Sequence, residues 1–268
     1  MRSFEYLRPA SLPDAAKALA GSDAKLMAGG MTLIPAMKMR LTLPETVVDL
    51  GAIGELRGIR AAKDEITIGA MTRHADVASS ADVKKAIPAL ASLAGGIGDP
   101  QVRNRGTIGG SIANNDPAAD YPAAVLALGA TITTNKRKIV GDKFFTGMFE
   151  TALDAGEIIQ QVSFPVPAMA AYEKFRSPAS RYALVGVFVA KTAAGVRVAV
   201  TGAAPCVFRA TALESLLSEK FSAEALKGFR FPAEGLNSDM HGDAQYRAGL
   251  IGVLTRRAVA SLTGAGMN

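Results

Sequence analysis

The spacing of apolar and polar residues predicts mixed strands and helices along the first part of the chain. Apolar and alternating runs indicate strands at residues 25–28, 46–50, 65–70, 131–134, 138–140 and 158–164. Apolar residues at helical spacing, with capping and first-turn residues before them, indicate helices at residues 14–20, 33–40, 88–94 and 121–128. Thr72 is expected to cap a further helix, since its hydroxyl can accept from a first-turn amide.

The pattern changes after the Pro-Val-Pro sequence at residues 165–167. Strands are predicted at residues 172–176, 184–191 and 196–201, and the short connection between the last two favours antiparallel pairing. A helix is predicted at residues 245–262, where apolar residues recur at helical spacing. We therefore predict a domain boundary at the two prolines, between residues 1–167 and 168–268.

Two glycine-rich motifs stand out in the first part of the chain. The first reads AGGMT at residues 28–32, and the second reads TIGGS at residues 107–111; each is expected to form a loop. Paired glycines beside hydroxyl residues let backbone N–H groups approach an anion, because no Cβ blocks the way. The first motif joins a predicted strand to a predicted helix, where phosphate is favoured. Two such motifs in one chain indicate a dinucleotide, with its pyrophosphate held from both sides.

Composition narrows the class of protein. The 268 residues give a length prior of about two domains, and 49% hydrophobic with 20% charged residues is typical of a globular protein. The net charge of +6 is scattered, and the one tight cationic triplet, at residues 136–138, lies in a predicted hairpin turn, so no nucleic-acid partner is expected. No apolar run reaches membrane-spanning length, no signal peptide is evident, and the single Cys206 permits no internal disulfide. The cytoplasm is the expected location.

Few side chains offer catalytic chemistry of their own. No G-x-G-x-x-G sequence lies around Gly96 and Gly98, and no P-loop lysine follows either glycine motif. Residues 109–113 half-match a serine-hydrolase elbow, but His74 and His241 are the only histidines. Two histidines and one cysteine also make a poor metal site. We expect no catalytic acid–base residue and no metal site, so a bound cofactor would supply the chemistry.

Three segments together carry a resemblance to a known family. They read AGGMTLIP at residues 28–35, QVRNRGTIGGS at 101–111 and NNDPAAD at 114–120. They resemble the FAD-binding subunit of molybdenum hydroxylases, a family that includes the medium subunit of aerobic carbon monoxide dehydrogenase and the flavin domain of xanthine dehydrogenase. Shorter matches at residues 157–159, 172–175 and 254–258 extend the resemblance over essentially the whole chain.

The resemblance implies an α+β fold. Two α+β subdomains of the PCMH type, with their boundary near residues 55–62, would grip FAD between them. A C-terminal α/β domain with an antiparallel sheet would follow. The first glycine motif and its flanks would contact the cofactor through Leu26, Met27, Ala28, Gly29, Gly30, Met31, Thr32 and Leu33. The second motif would contribute Thr107, Ile108, Gly109, Gly110 and Ser111.

Five further contacts follow from the resemblance. Asp120 would bind hydroxyls of the adenosine ribose or nearby. Ile97 would make an apolar contact with a cofactor ring, and Ile159 would pack near the isoalloxazine. Lys174 would lie near the polar edge of the flavin, and Tyr182 would cover the ring. Taken singly, Asp120 would be a helix N-cap, Ile97 and Ile159 core residues, and Lys174 and Tyr182 ordinary strand residues.

The resemblance also implies that three subunits carry separate steps of the reaction. A large molybdopterin subunit would oxidise the substrate, and a small subunit would pass electrons through two-iron, two-sulfur clusters. This chain would hold FAD, bound non-covalently because Met31 and the second motif offer no His or Cys nucleophile. It would deliver electrons to an external acceptor, whether a quinone, NAD or oxygen. The implied assembly is a dimer of heterotrimers.

Two other functions stay open from the residues. One is a self-sufficient FAD-dependent oxidase, which would call for a large substrate domain and often a covalent flavin link. The other is an FAD-free assembly subunit, against which the intact glycine motifs argue.

Overall fold

A computed structural model describes residues 1–20 and 23–264. The described residues contain three larger β-sheets with helices around them and a two-stranded sheet of β8 and β9. The strands are β1 (Glu5–Leu7), β2 (Ala24–Met27), β3 (Thr46–Asp49), β4 (Ile59–Ala61), β5 (Glu65–Gly69), β6 (Thr131–Thr134), β7 (Lys138–Val140), β8 (Phe145–Gly147), β9 (Glu150–Thr151), β10 (Ile159–Pro165), β11 (Met169–Arg176), β12 (Ala183–Thr192), β13 (Gly195–Thr201) and β14 (Phe208–Arg209). The α-helices are α1 (Leu12–Leu19), α2 (Leu33–Lys38), α3 (His74–Ser79), α4 (Ala81–Ala86), α5 (Pro88–Gly95), α6 (Pro100–Arg103), α7 (Ile108–Asn114), α8 (Tyr121–Ala127), α9 (Thr211–Glu219) and α10 (Ala244–Thr263). Short 3₁₀ helices lie at Leu50–Ala52, Gly54–Leu56, Gly141–Lys143 and Ala223–Leu226.

The N-terminal unit is a parallel three-stranded sheet in the order β1-β3-β2. Helix α1 begins as the sequence predicts, since Ser11 accepts from the amide of Asp14 and Pro13 occupies the first turn. Its apolar face packs with Val48 and Leu50 in a small core. Strand β2 then runs through the first glycine motif into α2, so this motif joins a strand to a helix as predicted.

The second unit is a five-stranded sheet in the order β4-β5-β10-β6-β7, with antiparallel neighbours. The predicted hairpin of β6 and β7 is present, and β10 crosses the centre of the sheet. Helices α3, α4, α5, α7 and α8 pack around it and bury the largest apolar core of the described chain.

The third unit is an antiparallel four-stranded sheet in the order β11-β12-β13-β14. Helix α10 packs on β11 and β12, while α8 of the second unit packs on β12 and β13. Residues 183–190 of β12 are therefore buried on both faces, which explains their continuous apolar run. The predicted α+β class and antiparallel C-terminal sheet are confirmed.

Two local predictions are wrong. The second glycine motif is not a loop, because Ile108–Asn114 forms α7 and Thr107 caps it by accepting from the amide of Gly110. Thr72 caps no helix: its hydroxyl donates to the carbonyl of Gly58, and α3 begins two residues later. The proposed subdomain limit near residues 55–62 and the 167/168 domain boundary stay predictions. Within residues 1–20 and 23–264, no helix combines the length and apolar character needed to cross a membrane.

Candidate cofactor-binding site

A cavity of about 660 Å³ lies where the three units meet. Its wall is formed by the connection between β2 and α2, the first turn of α7, the start of β10, Ile97 with Gly98, and the loop before β12. Both glycine motifs contribute to this wall. The topology thus brings together segments that are far apart in the sequence.

The two glycine motifs are in direct contact. A Cβ added to Gly29 would lie 2.1 Å from the carbonyl oxygen of Arg105 and 2.9 Å from the Cα of Gly106. A Cβ on Gly110 would lie 3.3 Å from that of Ala28. Glycine at these positions lets the two backbones approach more closely than side chains would allow. The motifs therefore form one continuous surface of the cavity.

The first motif offers unused backbone donors. Among the described residues, the amides of Gly29, Gly30, Met31 and Thr32 make no hydrogen bond to a protein acceptor. Gly30 adopts φ +73°, a conformation that favours glycine, and its carbonyl accepts from the amide of Ile34. Four consecutive amides beside a cavity are suited to an anionic ligand.

The second motif differs in this respect. The amide of Ile108 donates to Thr72 (3.1 Å) and that of Gly109 to Ala70 (2.8 Å), both at the backbone carbonyl. The amides of Gly110 and Ser111 donate to the hydroxyl and the carbonyl of Thr107. Four of the five amides of this motif are therefore bonded within the protein, and only that of Thr107 has no hydrogen bond among the described residues. Its glycines instead allow close packing, and its contact with a cofactor stays a prediction.

A buried ion pair lies beside the cavity. The Asp120 Oδ1 atom accepts from the Lys174 ammonium at 2.8 Å and from the Tyr172 hydroxyl at 2.5 Å. The Lys174 ammonium also donates to the Gly96 carbonyl at 3.0 Å. Only 3% of the Asp120 side chain and 7% of the Lys174 side chain are exposed. Burial raises the pKa of Asp120, and the positive charge of Lys174 opposes that rise.

This pairing changes the interpretation of both residues. Asp120 occupies the N-cap position of α8 as predicted, but its side chain makes no cap bond there. Asp120 lines the cavity, whereas Lys174 lies behind it and does not contribute to the cavity wall that the described residues form. Lys174 therefore acts on the cavity through Asp120, and its direct contact with a flavin edge stays a prediction.

Most of the predicted site residues lie on the cavity wall. They are Leu26, Ala28, Gly29, Gly30, Met31, Thr32, Leu33, Ile97, Thr107, Gly109, Gly110, Ser111, Asp120, Ile159 and Tyr182. Three predicted residues do not contribute to the wall formed by the described chain: Met27, Ile108 and Lys174. Ile108 is wholly buried in the large core, because the first turn of α7 turns it toward the second sheet.

Among the polar residues of the wall that the sequence interpretation missed, His74 and Glu157 are buried. Glu157 accepts from the Arg137 guanidinium, the Thr134 hydroxyl and the amide of Asp154. Burial alone would raise its pKa, but these hydrogen bonds lower the pKa of Glu157 to about 2. It is therefore ionised and held in place at the cavity. Glu157 lies within the short match at residues 157–159, which assigned no role to its side chain, and His74 lies outside every segment that carries the resemblance.

Comparison with known proteins shows the family. Residues 2–167 match the family described as the FAD binding domain in molybdopterin dehydrogenase. The chain is 38% identical to the carbon monoxide dehydrogenase medium chain of Hydrogenophaga pseudoflava over 274 aligned residues, covering 96% of each chain. It is 36% identical to the nicotine 6-hydroxylase medium subunit of Paenarthrobacter nicotinovorans, again with 96% of each chain covered.

Solved structures share the whole fold. A carbon monoxide dehydrogenase from Hydrogenophaga pseudoflava that lacks the Mo-pyranopterin moiety of its molybdenum cofactor matches with a TM-score of 0.88 over 98% of both chains, at 38% identity. Quinoline 2-oxidoreductase from Pseudomonas putida 86 also gives a TM-score of 0.88, at 30% identity, over 100% of this chain and 99% of its own. The chain therefore belongs to the FAD-binding subunits of the molybdenum hydroxylase family, which are components of oxidoreductases.

Proposed function

We propose that this chain binds one FAD non-covalently in the cavity, with the pyrophosphate against the first glycine motif. The observation that carries the proposal is the set of four amides, from Gly29 to Thr32, that lack a protein acceptor among the described residues and lie beside the cavity. The volume of about 660 Å³ is also within the range of about 300–1,000 Å³ common for small-molecule sites. The residues present therefore fit the cofactor that the family binds.

The remaining wall separates into apolar and polar parts. Ile97 and Ile159 offer apolar surface for a ring, and Tyr182 lies at the rim with 45% of its surface exposed. Asp120 brings a carboxylate that suits a pair of vicinal hydroxyls. The second glycine motif supplies a close-packed wall and the Ser111 hydroxyl. In this account the chain's residues bind and orient the cofactor, exclude water from its ring, and hold the charge around it.

FAD, when bound, takes up electrons in pairs and releases them to an acceptor. We propose that this chain works in a complex with a large molybdopterin subunit and a small iron–sulfur subunit. The support is its near full-length match to proteins described as medium chains or subunits. Electrons would arrive from two-iron, two-sulfur clusters of the partner and leave to an external acceptor. A cytoplasmic location and assembly as a dimer of heterotrimers remain predictions.

The test is purification of the chain with FAD, alone and with its partner subunits. We expect a flavin absorbance spectrum with one FAD per chain, and all the yellow colour in the supernatant after acid precipitation. Flavin reduction by the complex's substrate should need the cluster-bearing subunit. A colourless chain that binds no added FAD would contradict the proposal, and reduction of the lone chain by substrate would favour a self-sufficient oxidase.

We predict that Tyr182→Ala retains FAD but alters the environment of its ring. Aromatic stacking contributes about 0.5–1.5 kcal/mol beyond area burial, so the Kd for FAD should rise by roughly 2- to 12-fold. The visible spectrum should shift, and reoxidation by oxygen should become faster because the ring is less covered. Tyr246→Ala is a matched control, since Tyr246 is also 45% exposed but packs against Phe175. Wild-type flavin properties in Tyr182→Ala would remove this residue from the site.

A further inference from the structure

Two buried polar side-chain atoms in the described part of the chain have no hydrogen-bond partner. They are the Nδ1 atom of His74 and the hydroxyl of Tyr121. The two rings are neighbours, with centroids 5.4 Å apart and planes tilted by 44°. His74 is only 4% exposed and Tyr121 is wholly buried. Of the pair, His74 alone also lines the cavity, so it is the one that a ligand could reach.

His74 is held behind the junction of the two glycine motifs. Its amide donates to the carbonyl of Gly106 at 3.0 Å. Its imidazole Nε2 lies so close to Gly106 that a Cβ there would come within 2.5 Å of it. The same Arg105–Gly106 backbone packs on Gly29. The imidazole therefore lies at the junction of the two motifs, on the wall of the cavity.

The surroundings of His74 determine its protonation. Burial lowers the pKa of His74 to about 4, and the nearby positive charge of Arg103 adds to the effect. The ring is therefore neutral at pH 7, with one donor nitrogen and one acceptor nitrogen. A buried N–H without an acceptor is rarer and more costly than an acceptor without a donor. The enclosed Nδ1 atom is thus the unprotonated ring nitrogen, and the proton is on Nε2.

We propose that His74 is a further cofactor-binding residue, whose Nε2–H donates a hydrogen bond to a pyrophosphate oxygen of FAD. The inference rests on the proposed function, because it requires the dinucleotide to occupy this cavity. It adds a side-chain donor to the four backbone amides of the first motif, because Nε2 makes no hydrogen bond within the described part of the chain.

The experiment compares His74→Gln with His74→Leu in the full-length chain. Glutamine can place an amide N–H at about the reach of Nε2, whereas leucine keeps bulk and removes the donor. We expect the Kd for FAD, measured by quenching of flavin fluorescence, to rise about tenfold in His74→Leu and less than threefold in His74→Gln. ADP, which has the pyrophosphate but no flavin, should lose affinity by the same factor. Riboflavin, which has no phosphate, should be unaffected.

A spectroscopic measurement on the wild-type chain does not depend on the variants folding. In ¹⁵N NMR of histidine-labelled protein, His74 should be neutral with the proton on Nε2, and its Nε2 resonance should shift when ADP or FAD is added. Unchanged resonances, or wild-type affinity for ADP in His74→Leu, would make His74 a core residue and overturn the inference. A wild-type chain that binds neither FAD nor ADP would instead overturn the proposed function itself.

Discussion

Gly29→Ala is expected to abolish FAD binding and to destabilise the fold. The added Cβ would lie 2.1 Å from the Arg105 carbonyl oxygen, which belongs to backbone and cannot rotate away. The two motifs would have to separate, and overpacking of this kind costs about 1–3 kcal/mol. Separation would also displace the amides of the first motif from the cavity wall. Flavin content after purification and the free energy of unfolding in urea measure the two effects.

Gly54→Ala is the matched control for this substitution. Gly54 is exposed, and a Cβ there would meet no atom within 4 Å. Its alanine variant should bind FAD as the wild type does and keep its stability. Gly29→Ala with full flavin content would show that contact between the motifs is not needed to hold the cofactor.

Lys174→Met is expected to be the most destabilising single substitution at the site. It removes the positive charge beside Asp120 and leaves a carboxylate buried without its ionic partner. Breaking a buried ion pair by removing one member costs about 3–5 kcal/mol. The free energy of unfolding at pH 8 should fall by about that amount. Lys84→Met, at an exposed position of α4, should change it by less than about 0.5 kcal/mol.

The loss of stability in Lys174→Met is expected to depend on pH in a definite direction. Without Lys174, the folded pKa of Asp120 rises further above its unfolded value, because the largest effect that opposes burial is lost. A group with a raised folded pKa contributes stability to the folded protein below its unfolded pKa. That contribution is lost as the pH rises through the folded pKa. The variant should therefore unfold more easily at pH 8 than at pH 5. Adding Asp120→Asn should recover most of the loss, and no recovery would show that the charge is not its cause.

The strands were predicted well because their signal is local. Hairpin β6–β7 and the central run of β12 are visible as alternating or continuous apolar residues between turn signals. Helix α7 was missed because glycine costs roughly 1 kcal/mol in a helix, and two consecutive glycines indicate a loop. The Thr107 cap and packing of Gly109 against Ala70 outweigh that cost. The packing of Gly109 depends on Ala70, a residue of another segment.

The site was predictable as a set of segments but not as a set of contacts. Motif resemblance found both glycine motifs and Asp120. It assigned Asp120 and Lys174 to different parts of the cofactor, although their side chains form one ion pair. That pairing is a side-chain contact between the residue before α8 and a residue of β11, which no local pattern encodes. His74 was missed for the same reason, because its environment is made by Gly106 and Tyr121.

The most direct test of the central claim is hydrogen exchange of the backbone amides with and without FAD. The amides of Gly29 to Thr32, which have no acceptor among the described residues, should exchange quickly in the free chain and become at least tenfold slower with FAD. The amides of Ile108 to Ser111, already bonded within the protein, should be protected in both states. FAD bound at full stoichiometry with unchanged exchange at Gly29 to Thr32, or with slowing confined to α9, would contradict the placement of the cofactor in this cavity.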